Sequence, residues 1–243
     1  MTDHTFTKWL IDEIKPISES ECIKIDDDIE TGELVRGSQQ NTCQLAVTIK
    51  DMYIHDNKKW FGEADIRLDA LVVTGSVHND DLESFYMPRT ETFSRVKDGE
   101  RLPIGEGGLL IYHGEAKHFL DIRLMVSRDS KDTDSLANLI KHKLNSEELK
   151  VAMGSLLGLA VASPQTASIV TALSGAAVLG EFACRILRES TGTTIGFYRN
   201  SHRQYSDNFG IGRHPIPPLE NYRAKDLSFC YEITLEEEDP YAF

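Results

Sequence analysis

The sequence lacks charged side chains over one long stretch, and it lacks the motifs of several large enzyme classes. Residues 151–180 contain no Asp, Glu, Lys or Arg. The four cysteines (Cys22, Cys43, Cys184 and Cys230) form no CxxC or Cys/His zinc spacing, which predicts buried thiols in a reducing compartment. No G-x-S-x-G nucleophile elbow and no dinucleotide-binding glycine motif is present. The sequence therefore contains no catalytic motif of high specificity.

The charge balance is strongly acidic, and it argues against general nucleic-acid binding. Lys and Arg number 26 against 39 Asp and Glu, which gives a net charge of −13. Phosphate backbones require a basic surface, so we expect no nucleic acid among the partners.

Residues 1–15 contain early acidic residues and no apolar segment followed by a cleavage site, so no signal peptide is predicted. We expect a cytoplasmic protein, with association at the membrane periphery as a further expectation.

Alternating apolar and polar residues predict β-strands through much of the chain. The alternation is clearest at 43–49, at 64–75 and at 227–235. Shorter patterns predict strands at 84–87, 92–96, 109–113, 119–127 and 193–198. Short strands separated by Gly, Asp and Asn are typical of an antiparallel β-sandwich.

Helical periodicity replaces the strand pattern between residues 132 and 190. One helix is predicted over 135–144, a second begins at Ser146 and ends before Pro164, and a third covers about 165–187. The predicted fold class is mainly β (α+β), an antiparallel β-sandwich with an inserted helical hairpin. Residues 41–131 and 191–243 form the sandwich, residues 132–190 form the helical insertion, and residues 1–40 form an N-terminal helix and an acidic linker.

The uncharged segment 151–180 has three possible interpretations. Pro164 divides it into halves that are each too short to cross a bilayer core, which needs about 20 apolar residues. Its many small residues permit close packing between helices. The hairpin is therefore buried on the sandwich, or forms a face for a partner or for a homo-oligomer, or inserts into lipid after a conformational change.

Two loops carry the acidic side chains of a candidate calcium site. Calcium takes six to eight oxygen ligands, several of them carboxylates on flexible loops. The candidate ligands are Asp56, Glu63 and Asp65 in the first loop, and Asp129, Asp132 and Asp134 in the second. In the alternative interpretation, Asp132 and Asp134 cap the following helix and the first-loop charges only solvate a turn.

The strand before the second loop carries a family resemblance. Leu120, Ile122, Leu124 and Val126 alternate along it and lead into the aspartate-bearing loop. In this respect the chain resembles a C2-type β-sandwich over roughly residues 40–135 and the last strand. The resemblance implies a C2-like fold and a calcium-, lipid- or protein-binding module without catalysis of its own.

Two further groups are candidates for contact with a ligand or partner. Trp60 and Phe61 lie together in the first loop, where they form a membrane or partner contact or instead fold back onto the core. The second group is a locally basic stretch in an acidic chain, and planar arginine side chains suit anion recognition. Its members are Arg199, His202, Arg203, Arg213 and His214.

The expected function is therefore a non-enzymatic binding module. It docks a protein partner or a membrane surface, with assistance from calcium, through the acidic loops and the uncharged hairpin. One alternative is a membrane-perturbing effector whose hairpin enters lipid. The other is a hydrolase that uses the His202 and His214 region, with Cys184 and Asp207 as further candidates.

Overall fold

The protein is described by a computed structural model that covers residues 43–75, 86–130, 133–143, 146–147, 150–151, 154 and 166–236. The predicted N-terminal helix, the acidic linker, most of the second predicted helix and Asp132 lie outside these residues. The strands are β1 Cys43–Ile54, β2 Ala64–Thr74, β3 Tyr86–Val96, β4 Glu100–Arg101, β5 Leu109–Ala116, β6 Phe119–Arg128, β7 Thr194–Arg203, β8 Gly212–His214, β9 Tyr222–Ala224 and β10 Leu227–Leu235. The helices whose bounds are described are α1 Leu136–His142, α2 Thr166–Ser190 and the short α3 Gln204–Asp207, and Lys150, Val151 and Gly154 are also helical.

The strands form two antiparallel sheets, and the fold is a mainly β α+β structure. In the first sheet β1 pairs with β4, β5 and β10, and β10 also pairs with β8 and β9. In the second sheet the order is β3-β2-β6-β7. The chain enters α1 and α2 after β6 and returns to β7, which is hydrogen-bonded to β6. The predicted helices at 135–144 and 165–187 thus match α1 and α2 within a few residues.

The alternating apolar residues of both sheets meet in one hydrophobic cluster. From β2 it takes the predicted face at Ile66, Leu68, Ala70 and Val72. From β6 it takes Leu120, Ile122, Leu124 and Val126, and from β10 it takes Leu227, Phe229, Tyr231 and Ile233. These three faces are confirmed, because in a strand every second side chain points to the same side.

The opposite face of the second sheet is covered by the two longer helices. A second hydrophobic cluster joins the odd-numbered apolar side chains of β2 and β6 to α1 and α2; it includes Leu71, Met125, Ile140, Leu179 and Phe182. In α2, Ala176 and Leu179 are fully buried. This part of the uncharged segment therefore packs on the sheet. None of the helices in the described part of the chain combines the length and apolar character needed to span a bilayer.

Two buried ion pairs lie between that sheet face and the helices. Arg67 and Asp69 on β2 are joined at 2.7 Å, and Arg123 and Asp121 on β6 are also joined at 2.7 Å. All four side chains are almost completely inaccessible to solvent. A buried charge is stable only when it lies beside an opposite charge and is hydrogen-bonded. Both pairs also contact the helical region.

The hydrogen bonds of the two arginines attach the helical region to the sheet. Arg67 donates to the backbone carbonyls of Thr133 and Asp134 at 3.2 and 2.8 Å, just before α1. Arg123 donates to the carbonyl of Ala176 in α2 at 3.3 Å. The position of the helices therefore depends on charges as well as on apolar packing.

Two local predictions were wrong. The strands predicted at 84–87 and 92–96 are one strand, β3, whose polar middle is compatible with its position at the edge of the second sheet. The N-cap of α1 is Ser135, whose hydroxyl accepts from the Asn138 amide, and not Asp134. The carbonyl of Asp134 instead accepts from Arg67.

Candidate functional site

The loop between β1 and β2 presents two aromatic side chains to solvent. Trp60 is 90% exposed and Phe61 is 79% exposed, and their rings lie edge to face with centroids 6.0 Å apart. The alternative in which they fold back onto the core is therefore wrong. We call Trp60 and Phe61 the aromatic tip.

A buried asparagine holds the base of this loop. The amide nitrogen of Asn57 donates to the carbonyls of Gly62 at 3.0 Å and Val96 at 2.9 Å. Its side-chain oxygen accepts from the backbone N–H of Lys59 at 2.9 Å. Because Asn57 is fully buried and these bonds connect both sides of the loop, the exposure of the aromatic tip follows from a fixed loop base.

Basic side chains line a cleft that shares the loop with the aromatic tip. The cleft has a volume of about 700 Å³ and contains both basic and acidic groups. We define its basic collar as Lys59, Arg95, Lys97 and Arg128. The Arg95 and Lys97 side chains are 80% and 66% exposed. The tip and the collar therefore place aromatic and cationic groups on accessible surface.

Three of the predicted calcium ligands line the same cleft. They are Glu63, Asp65 and Asp129. Glu63 accepts from Arg95 at 2.6 Å, and this bond lowers the pKa of the Glu63 carboxyl. Asp65 accepts from the backbone N–H of Arg95 at 3.0 Å. Burial raises the pKa of the Asp129 carboxyl.

The other predicted calcium ligands lie elsewhere. Asp56 accepts from the Lys58 ammonium at 2.8 Å, and this hydrogen bond lowers the Asp56 pKa. Asp134 precedes α1, and Asp132 is outside the described residues. Within the described ranges, no group of three or more His, Cys, Asp or Glu side chains is arranged to hold a metal ion. Calcium binding stays a prediction.

The five residues of the predicted anion site are divided between two surfaces. Arg199 and Arg203 alternate with His202 along β7 and so point to the other side of the sheet. Arg199 lies 3.6 Å from the Asp121 carboxylate on the face that carries the helices. His202, Arg213 and His214 instead line a cleft of about 600 Å³. The imidazole rings of His202 and His214 lie 4.7 Å apart.

The hydrogen bonds around His202 fix its tautomer. The backbone N–H of Ser201 donates to the Asn200 side-chain oxygen, so the Asn200 nitrogen faces His202 as a donor at 3.0 Å from Nε2. Nε2 must then accept, and Nδ1 carries the proton that bonds to Asp207 at 2.9 Å. The Tyr231 hydroxyl lies 3.1 Å from Nε2. This arrangement suits the neutral imidazole.

Acidification is expected to destabilise the fold through His202. Burial lowers the pKa of His202 from its ordinary value of 6.5, so the unfolded chain takes up a proton more readily than the folded protein. The His202 contribution to stability is complete above about pH 6.5 and is lost as pH falls toward the folded-state pKa. Urea unfolding from about pH 7.5 to about pH 5.5 should show this decrease, and His202→Gln should reduce it.

A matched substitution separates this effect from general acid sensitivity. His113 is an exposed histidine paired with Glu236, and His113→Gln should retain most of the wild-type pH dependence. The buried His118 has a pKa lowered by burial and contributes with the same sign, so His202→Gln leaves a remainder. Equal pH dependence in wild type and His202→Gln would contradict the assignment.

The groups of the predicted hydrolase are only partly brought together. Asp207, His202 and His214 lie around one cleft, but Cys184 lies on α2 and lines a cavity under that helix. Burial raises the pKa of the Cys184 thiol to about 11. The His202 Nε2 faces the Tyr231 hydroxyl, whose pKa burial raises to about 12. Tyr231 was missed from the sequence because it follows the alternation of an ordinary strand, and Asn200 was missed because the strand was predicted to end at residue 198.

The sequence of β6 resembles that of a C2-type β-sandwich. That resemblance depends on the apolar face of β6 and on the acidic residues after it. The C2-like assignment stays a prediction. A scan against protein-family models and searches of curated proteins and solved structures found no match to this chain.

Proposed function

We propose that this protein is a non-enzymatic module that docks on an anionic membrane surface through the aromatic tip and the basic collar. The proposal depends on one observation, the exposure of Trp60 and Phe61 at 90% and 79% on a loop with a buried base. A C2-like β-sandwich with calcium-assisted docking and peripheral cytoplasmic localisation forms part of the same proposal.

The chemistry of the aromatic tip favours a membrane interface. Large apolar side chains in a cluster are unusual on the surface of a monomer and commonly mark an interaction site. Trp and Tyr are enriched at headgroup depth, where an aromatic ring contacts the acyl chains. The fixed loop base means that little ordering is needed when the two rings insert.

The collar explains how an acidic protein approaches an anionic surface. The chain has a net charge of −13, which opposes such an approach. Lys59, Arg95 and Lys97 are exposed near the tip, and each basic residue at an anionic surface contributes about 1 kcal/mol. Salt at moderate concentration screens interactions beyond about 10 Å, so the acids elsewhere on the chain oppose docking less than their number indicates. Glu63, Asp65 and Asp129 lie in the same cleft and offset part of the collar's charge.

Removing the aromatic tip should weaken vesicle binding by about 100-fold, because two partly buried aromatic side chains contribute about 1.5 kcal/mol each. Trp9 and Trp60 are the two tryptophans of the chain. In a Trp9→Phe background, Trp60 emission should shift to shorter wavelength with vesicles of phosphatidylcholine and phosphatidylserine. Trp60→Ala/Phe61→Ala should abolish co-sedimentation with the same vesicles.

The control substitutes exposed apolar residues away from the collar. Ile216 and Leu219 are 72% and 63% exposed, and Ile216→Ala/Leu219→Ala should bind vesicles as wild type does. Added salt and Lys97→Ala should weaken binding, and calcium should strengthen it if the acidic loops participate. Absence of a Trp60 shift with and without calcium would exclude the membrane and leave a protein partner.

A further inference from the structure

Strand β3 forms one edge of the second sheet, and its outer side has no strand beside it. The strand pairs with β2 on one side, and within the described part of the chain no strand pairs with the other side. It has 11 residues, and its register with β2 is regular from Tyr86 to Phe93. A long and regular edge is a template for pairing with the strand of another chain.

Pro88 indicates which backbone groups of β3 point away from β2. Proline has no N–H, and within sheets it occurs on edge strands with that side facing solvent. Backbone groups alternate in direction along a strand, so the N–H and C=O groups of Thr90 and Thr92 also point outward. The outer edge of β3 therefore offers backbone donors and acceptors at alternate residues.

The side chains on one face of β3 form a pattern that is complementary to itself. In order, Met87, Arg89, Glu91 and Phe93 are apolar, positive, negative and apolar, and Thr90 lies at the centre of the four. In an antiparallel pairing of two β3 strands around Thr90, Arg89 lies opposite the partner's Glu91. In the same register Met87 lies opposite the partner's Phe93.

These side chains retain capacity for a contact outside the chain. Nε and Nη2 of Arg89 both donate to Oε1 of Glu91, at 2.9 and 2.7 Å. Among the described residues, Nη1 of Arg89 and Oε2 of Glu91 have no hydrogen-bond partner, and both side chains are partly exposed. Met87 is 38% exposed, and Phe93 is partly buried against the core. A charge-assisted bond and an apolar contact are therefore both available to a second copy.

The neighbouring registers of the same pairing are unfavourable. Moving the centre from Thr90 to Glu91 places two carboxylates directly opposite each other, and moving it to Arg89 does the same with two guanidinium groups. Like charges directly opposite each other destabilise a sheet. Charges on an edge also oppose pairing with unrelated strands. The pattern therefore favours a second copy of this chain in the register centred on Thr90.

We propose that two copies of this chain associate through β3, around a two-fold axis at Thr90, and join their four-stranded sheets into one. The two Thr90 residues exchange a pair of N–H···O=C bonds, and each Thr92 N–H donates to the carbonyl of the partner's Pro88. A contact between two strands is small for a protein interface, so the dimer forms only at high concentration.

The proposed dimer has a defined orientation. The carbonyl of Val96, at the end of β3, accepts from Asn57 at the base of the loop that carries the aromatic tip. Because the two β3 strands run antiparallel, the two aromatic tips lie at opposite ends of the dimer. Docking through one tip therefore leaves the other tip free, and the association does not depend on membrane binding.

Exchange of charges on β3 tests the proposal in the full chain. In sedimentation velocity over a concentration series, the wild type should shift from 27.3 kDa to a species of twice that mass. Arg89→Glu and Glu91→Arg should each weaken association at least about 10-fold, because like charges then lie opposite each other at both symmetric positions. An equimolar mixture of the two variants should associate as the wild type does, since each acidic position then faces a basic one.

The control changes the charge of an arginine away from this edge. Arg101 is exposed on β4 near Asp51, and Arg101→Glu should associate as the wild type does. The proposal is overturned if the wild type stays monomeric at every concentration, or if the single β3 variants associate as tightly as it does. It is also overturned if the mixture associates no better than each variant alone, or if Arg101→Glu weakens association equally.

Discussion

Arg67→Met should lower the free energy of unfolding by about 3–5 kcal/mol, because it leaves the buried Asp69 carboxylate without its cation. The Arg67 and Asp69 side chains are 2% and 0% exposed, and the guanidinium contacts Asp69 through two hydrogen bonds of 2.7 and 2.9 Å. The substitution also removes the donors to the carbonyls of Thr133 and Asp134. Urea denaturation followed by circular dichroism measures the loss.

The neighbouring strand provides a matched control. Arg89 and Glu91 on β3 form a pair with the same two-residue spacing, but their side chains are 45% and 35% exposed. Arg89→Met should cost less than about 1 kcal/mol, since exposed ion pairs contribute little. The double variant Arg67→Met/Asp69→Leu should recover much of the loss, because apolar pairs often replace buried ion pairs without penalty. Equal effects of the two arginine substitutions would refute the role assigned to burial.

The strands could be predicted because their apolar side chains obey a simple alternation. The last strand was predicted at 227–235 and is Leu227–Leu235. Along β6 the predicted face of Leu120, Ile122 and Leu124 is fully buried. The alternate residues were not predicted to be buried, because charged residues such as Asp121 and Arg123 usually indicate a solvated face. The helices cover that face, and pairing between charges two residues apart makes their burial tolerable.

The sites could be predicted only where the relevant residues are close in sequence. Trp60 and Phe61 were identified as adjacent aromatic residues in a loop, and they are exposed. Strand β7 was predicted to end at residue 198, whereas it extends to Arg203. Because side chains alternate between the two faces of a strand, the side chains of Arg199 and His202 lie on opposite faces of the longer β7. Asn200 lies two residues before His202 on β7, beyond the predicted end of that strand. Tyr231 reaches His202 because β7 and β10 meet across two sheets, and this long-range contact has no local signal.

The small residues of segment 151–180 include one whose size matters for contact with the sheet. Small residues in an uncharged helix were expected to permit packing between helices. The buried small residue Gly180 instead faces a side chain of the sheet, and a Cβ there would lie 1.9 Å from Nε of Arg123. A glycine is therefore needed where α2 crosses a buried guanidinium.

Gly180→Ala should destabilise the protein by about 3 kcal/mol or more, because Arg123 must move and release the buried Asp121 carboxylate. Gly154 is the matched control, since it is a helical glycine with no atom within 4 Å of an added Cβ. Gly154→Ala should be neutral or stabilising by up to about 1 kcal/mol, as alanine favours the helix. Chemical denaturation of both variants distinguishes the cases. A small, equal effect at the two positions would mean that Arg123 can leave Asp121 at little cost, and the Arg123–Asp121 pair would then have no part in holding α2 on the sheet.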